Sequence, residues 1–267
     1  LYKKRKKKRE LIMADVIDYQ IFGDDMQLVE IELDTNETVR AEAGAMMYME
    51  NGIEMLTSTG GGMLKGLKRL VTGESFFITS FTHRGSGKGH VAFAAPYPGK
   101  IIPIDLTTFN GTFFCQKDAF LCAANGIEIE VALTKRFGAG LFGGEGFILQ
   151  RLSGDGLAFI HAGGTIIEKQ LAQGESLRID TGCVVGFSQT IDYDFQFMKG
   201  FKNALFGGEG IVLAKLTGPG TIFLQSLPFS RLADRITSTF RYHNRGESKG
   251  LGGIGGNILG NLLGGDN

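Results

Sequence analysis

The chain runs to 267 residues, room for one large domain or two ordinary ones, and 43% of it is hydrophobic, as in proteins with a buried core. With 41 Gly, five Pro, 21 Phe and no Trp it suits short strands joined by glycine turns better than helices, so all-β is the expected class. The formal net charge of zero joins unlike parts. Leu1 to Ile12 carries seven Lys/Arg against one Glu, leaving 21 basic and 27 acidic residues elsewhere, a charge of −6 that argues against a nucleic-acid-binding surface on the body.

The basic run Lys3-Lys4-Arg5-Lys6-Lys7-Lys8-Arg9 has the composition of an arm for nucleic acid or anionic lipid. Like-charge blocks are more often disordered, and residues 1–12 are read as a basic disordered extension or a mistaken start ahead of Met13-Ala14. No signal-peptide core follows the run, and no 18-residue apolar stretch exists to span a membrane as a helix. From Asp18 to Leu33, Ile21, Met26, Leu28, Val29, Ile31 and Leu33 are set against Gln27, Glu30 and Glu32, a pattern that predicts strands with one face on a core.

Two strings then recur along the chain. Gly143-Gly144-Glu145-Gly146 returns as Gly207-Gly208-Glu209-Gly210 and, in worn form, as Thr72-Gly73-Glu74-Ser75, so the glutamates lie 71 and 64 residues apart. The string around Thr38 is echoed around Thr112 and Ser176, 74 and 64 residues apart. Independent motifs at matching periods predict three copies of one β unit, each small for a lone domain. The boundaries are 13–100, 101–163 and 164–228, followed by a short helix and Gly-rich tail over 229–267.

Within each unit the polar turns Asn36-Glu37, Asn110-Gly111 and Gly174-Glu175 separate apolar runs, as hairpins require. The glycine turns Arg84 to Gly89, Gly154-Asp155-Gly156 and Gly218-Pro219-Gly220 are likewise read as hairpin turns. Met63 to Val71 is predicted as a short basic amphipathic helix. After Leu227-Pro228, Ser230 is placed as the cap of a helix with Leu232, Ala233 and Ile236 on one face. Glycines at 252, 256, 260 and 264 permit close helix packing against a helix or membrane, but their cost to helix stability favours disorder in the tail.

Glu74, Glu145 and Glu209 are assigned as structural turn carboxylates, each accepting N–H bonds of its own glycine turn, in preference to three acids facing one ligand. His83 and His90 flank the first glycine turn, where surface or hydrogen-bonded roles outweigh a metal; no HxH pair supports a cupin-like centre. His161, in Phe159-Ile160-His161, is expected to be a satisfied core residue. Gly85-Ser86-Gly87-Lys88-Gly89 lacks the spacing of a phosphate-binding loop. Cys115, Cys122 and Cys183 form no CxxC pair and fit reduced thiols of a cytoplasm; Cys115 and Cys122, seven apart, are expected on opposite strand faces as small buried hydrophobes. No catalytic residue, metal ligand or cofactor is assigned.

The strings Leu141-Phe142-Gly143-Gly144-Glu145-Gly146, Leu205-Phe206-Gly207-Gly208-Glu209-Gly210 and Gln225-Ser226-Leu227-Pro228-Phe229-Ser230-Arg231-Leu232 resemble a bacterial family related to the mitochondrial biogenesis protein named for altered inheritance of mitochondria. The likeness covers about Met13 to Ile236. It implies three consecutive domains similar to the subunit of the tryptophan-sensing RNA attenuation protein, each a shortened double-stranded β-helix, with three chains forming a nine-domain ring. It brings no activity to particular residues, and the attenuation protein's RNA contacts have no matching repeated Lys/Arg pattern here, so no nucleic acid is expected. The resulting expectation is a non-enzymatic cytoplasmic scaffold or interaction protein assembling as a ring-like homotrimer. The alternatives are a small-ligand-binding module using grooves between units, or a peripheral organiser at a membrane surface through Met63–Val71 or the tail.

Overall fold

The computed structural model describes residues 13–42, 44–58, 78–135, 147–197 and 212–237. Residues 1–12, the Met63–Val71 segment, Glu74, Glu145, Glu209 and the Gly-rich tail lie outside them. The chain separates into one unit over Leu1–Pro228 and a second over Phe229–Asn267. In the second, a helix covers 229–237, so Ser230 stands within its first turn instead of capping it from outside.

The first unit is all-β. After β1 (Asp18–Phe22), its strands fall into three sets of six in chain order. The first set is β2 (Leu28–Leu33), β3 (Thr38–Glu42), β4 (Met46–Met49), β5 (Ile53–Ser58), β6 (Ile78–His83) and β7 (Gly89–Ala94). The second is β8 (Gly99–Asp105), β9 (Thr112–Gln116), β10 (Phe120–Ala124), β11 (Glu128–Lys135), β12 (Phe147–Ser153) and β13 (Leu157–Gly163). The third is β14 (Ile166–Leu171), β15 (Ser176–Asp180), β16 (Val184–Ser188), β17 (Asp192–Phe197), β18 (Val212–Thr217) and β19 (Gly220–Gln225).

These strands form four sheets, ordered β1-β2-β7-β4, β5-β6-β3-β10-β13-β8, β11-β12-β9-β16-β19-β14 and β15-β18-β17. The same antiparallel pairings recur in each set: first strand with sixth, sixth with third, second with fifth, fifth with fourth. The third strand carries a register shift at the same place each time, between Met46 and Tyr48, Phe120 and Cys122, and Val184 and Gly186.

The fourth and fifth strands of each set pair antiparallel, whereas the turns predicted from sequence as hairpins do not join paired strands. β2 and β3 lie in different sheets, as do β6 and β7, so Asn36-Glu37 and Arg84–Gly89 are corners that carry the chain from one layer to the other. The reason is local and recurs in all three sets. Asn36, Asn110 and Gly174, each two residues before its second strand, adopt left-handed conformations with φ of 73°, 54° and 79°, a region that Asn and Gly tolerate best. Each corner is then pinned to the other, because the N–H groups of His83, Gly154 and Gly218 donate to the carbonyls of Glu37, Gly111 and Glu175 at 3.0, 3.1 and 2.9 Å.

Burial follows the two-residue period of strands. In β2, Val29, Ile31 and Leu33 are buried while Leu28, Glu30 and Glu32 are half-buried. Met26, grouped with them by sequence, precedes β2 and is exposed. The facing layers interlock through aromatic rings, Phe81 against Phe93 at 5.2 Å and Phe147 against Phe195 at 5.2 Å, both edge to face. The β11–β14 sheet feeds two core clusters, with Phe113, Cys115 and Leu152 in one and Phe147, Leu149 and Phe187 in the other.

Residues 13–17 strap the first set to the second. Ala14 N–H donates to Asp155 Oδ1 at 2.8 Å, Asp15 N–H to Asn125 O at 2.9 Å, and Thr38 N–H to Asp15 Oδ2 at 2.9 Å. The strap runs over Gly126, whose φ is +98° and where a Cβ would stand 2.6 Å from Ala14 Cα. Both backbone strain and the close approach therefore demand glycine. Gly126→Ala is expected to cost about 1–3 kcal/mol, the usual penalty for a forced left-handed residue, read as a fall in thermal unfolding temperature. Asp15→Asn, which keeps the shape of the strap, should cost less.

Candidate functional site

Consecutive sets are joined by the second strand of one and the third strand of the next. β3 pairs with β10 through Ala41–Cys122, Arg40–Ala123 and Val39–Ala124. β9 pairs with β16 through Cys115–Gly186, Phe114–Phe187 and Phe113–Ser188. The registers are equivalent. Side chains seal each seam: Arg40 Nη1 donates to Ile127 O at 3.1 Å in the first, and Phe114 stacks on Phe187 at 5.7 Å in the second. Burial depresses the pKa of Arg40, as desolvation does for a cation.

Among the described residues, two strands of this kind have a neighbour on one side only. β4 lacks a second strand beside it, and β15 lacks a third strand. Their burial reports the difference directly. Every residue of β10 and of β16 is buried, but in β4 Met47, Tyr48 and Met49 are 59%, 40% and 39% exposed. β15 likewise exposes Ser176 and Arg178. An exposed strand edge with three large apolar residues is a template for pairing with another chain.

Beside β4 lies an ionic network on the first sheet. His90 on β7 holds two carboxylates, Nδ1 to Glu50 Oε2 at 3.0 Å and Nε2 to Glu32 Oε2 at 3.3 Å, while its N–H donates to Glu50 Oε2 at 2.9 Å. Lys88 pairs with Glu32, and Tyr48 donates its hydroxyl to Glu30. The Glu50 hydrogen bond raises the His90 pKa above 6.5. Glu32 is lowered by Lys88 above all, and Glu50 by His90. This network fixes Glu50, the residue that follows β4.

Other sequence-derived candidates separate in space. His83 is buried at its corner with its ring against Gly85 and Gly89, and its Nδ1 has no hydrogen-bond partner. It does not share a centre with His90, and among the described residues no group of three His, Cys, Asp or Glu side chains is placed to hold a metal. His161 is buried as expected, yet its Nδ1 also lacks a partner, so the imidazole is not the satisfied core group the sequence suggested. Cys115 and Cys122 are buried free thiols on separate strands, since the chain turns at Lys117–Ala119 between them; Cys183 is half-buried.

Glu74, Glu145 and Glu209 lie outside the described residues. Carboxylates that do hold turns stand elsewhere: Glu37 Oε2 accepts from Asp34 N–H at 2.8 Å and Glu175 Oε2 from Ala172 N–H at 2.9 Å. The available signal was a carboxylate three residues after the start of a polar turn, reaching back to an open N–H as in a capping box.

Comparison with known proteins places these features in a family. The model described as "Mitochondrial biogenesis AIM24" matches residues 19–227. The chain belongs to this family. An uncharacterized protein of Streptococcus pyogenes serotype M6 is 30% identical over 217 residues, which cover 78% of this chain and 85% of the relative. A crystal structure of a Streptococcus pyogenes protein superposes with a TM-score of 0.68 at 28% identity, covering 84% of this chain and 99% of that one. The AIM24 match thus ends at residue 227, within the all-β unit and before the helix at 229–237.

The His90 network has a defined pH window. Because its folded pKa is raised, the contribution of His90 is complete below 6.5 and is lost as pH rises through the folded value; those of Glu32 and Glu50, lowered, are present above 4.5 and lost as pH falls through theirs. NMR titration of the full chain is expected to show His90 titrating above 6.5 and moving down in Glu50→Gln. An unchanged midpoint in that variant would refute the assignment.

Proposed function

We propose that this AIM24-family protein is a non-enzymatic, cytoplasmic scaffold whose three strand sets are tandem repeats of a shortened double-stranded β-helix, and whose copies join edge to edge as a ring-like homotrimer. The observation that carries the reading is the contrast between β4, exposed, and β10 and β16, its fully buried counterparts. Carried across to a second copy, the internal register sets Tyr48 of one chain opposite Ile179 of the next, Met49 opposite Arg178, and Glu50 opposite Leu177. Arg178 occupies the position of Arg40 and would donate to the carbonyl of Ile53 in the next copy, the counterpart of Ile127.

Such a contact is head to tail, so it grows until the rotation closes; a ring satisfies both edges at once. Three chains is the number that the family resemblance implies. The cytoplasmic placement rests on three free cysteines, two of them fully buried thiols. No helix among the described residues is long and apolar enough to cross a membrane. A role at a membrane surface through Met63–Val71 or the tail rests on sequence alone, on residues outside the described set.

Light scattering on the full chain is expected to give three times the chain mass, and a stable monomer at micromolar concentration would overturn the assembly. Met49→Lys sets a cation against Arg178 and should weaken association by about tenfold or more, because like charges directly opposed on paired strands repel. Adding Arg178→Glu to that variant should restore it. Failure of the pair to recover while both variants remain folded would show that the register is wrong.

A further inference from the structure

The two internal seams are alike in backbone and unlike at one place. At the seam of the second and third sets, the buried side chain of Gln225 bridges the gap: Gly163 N–H donates to its Oε1 at 2.8 Å and its Nε2 donates to Gly182 O at 2.9 Å. The strand registers make His161, Pro96 and Asp118 the counterparts of Gln225, Gly163 and Gly182 at the seam of the first and second sets. There the bridge cannot form, since imidazole replaces the amide and Pro96 has no N–H to give. In its place is a cavity of about 270 Å³, walled by His161, Pro96 and Asp118 together with Glu42, Phe120 and Leu121.

The chemistry of the wall is one-sided. It brings two carboxylates, an imidazole and an apolar floor. Glu42 and Asp118 impose their charge locally: the Tyr97 hydroxyl is pushed far up, by burial first and by Asp118 and Glu42 next. His161 is only 2% exposed, its Nδ1 lacks a partner, and the edge-on Tyr97 ring at 4.6 Å holds it in place. Burial lowers its pKa to about 4, so near neutral pH it adds no positive charge to the wall. A buried polar atom without a hydrogen bond is costly and marks a place where a partner belongs.

We propose that this cavity is a binding site for a small organic cation, an ammonium or amidinium on a compact apolar body, with Glu42 and Asp118 holding the charge, His161 supplying a further hydrogen bond and Phe120 and Leu121 packing the body. The volume, at the lower end of ligand pockets, sets the size class. The counterpart at the other internal seam is already closed by Gln225, so the stoichiometry is one per chain.

The test uses the full chain near neutral pH and three probes that share one ring and differ in head group: benzylamine, benzyl alcohol and benzoate. Calorimetry is expected to show saturable binding of benzylamine at one site per chain, about tenfold or more tighter than benzyl alcohol, the worth of a charge-assisted bond, and none of benzoate. Glu42→Gln with Asp118→Asn should lose that preference. His161→Gln, which removes the imidazole but cannot rebuild the whole bridge because Pro96 gives no N–H, should weaken binding. Should the double variant fail to fold, the His161 ring resonances of the unaltered chain decide the matter, because they must shift as benzylamine is added. No binding at millimolar benzylamine, equal binding of all three probes, an unchanged preference in the folded double variant, or unmoved His161 resonances would overturn the proposal. Light scattering of the same samples reports assembly separately, so the two readings fail independently.

Discussion

The constraint on which everything else rests is the antiparallel seam between one strand set and the next. A six-strand set splits its strands between two layers, three to a layer, and a three-stranded layer leaves its outer strands half satisfied. Joining β3 to β10 and β9 to β16 turns two such layers into one six-stranded sheet at each seam. The third strand can then be buried throughout, as β10 and β16 are, because both its neighbours and both its faces are covered. Among the described residues no further set meets β4 or β15, and the same physics leaves those edges unpaired.

Much of this was legible in the sequence, and the parts that were not share a cause. The alternation of Val29, Ile31 and Leu33 with acidic neighbours announces a half-buried strand, and the left-handed residues Asn36, Asn110 and Gly174 announce turns. What a turn residue does not encode is the destination of the strand that follows. A positive φ reverses or redirects the chain equally well, so corners between layers read as hairpins. The seams were hidden for another reason: Ala41 and Cys122 are 81 positions apart, and nothing in a single chain labels them as neighbours.

Side-chain roles show the same division. Glu37 and Glu175 act on an N–H three residues away, and that kind of role can be read from spacing. The environment of His161 is made by Glu42, at the end of β3, and by Pro96 and Asp118, from two separate strand connections, and only the seam brings them together. His90 is similar, its two carboxylates coming from β2 and from the residue after β4. Local chemistry is written locally, whereas a cluster built by topology needs the topology first.

The three-residue register that links one set to the next has a consequence for how such chains change over time. Each seam asks one set for a bulged, buried strand and the preceding set for its second strand. A duplicated segment that supplies both therefore docks onto its parent without further adjustment, and losing a whole segment restores the earlier edge instead of leaving a hole. Adding or removing a whole set would thus leave the seams between the remaining sets as they are.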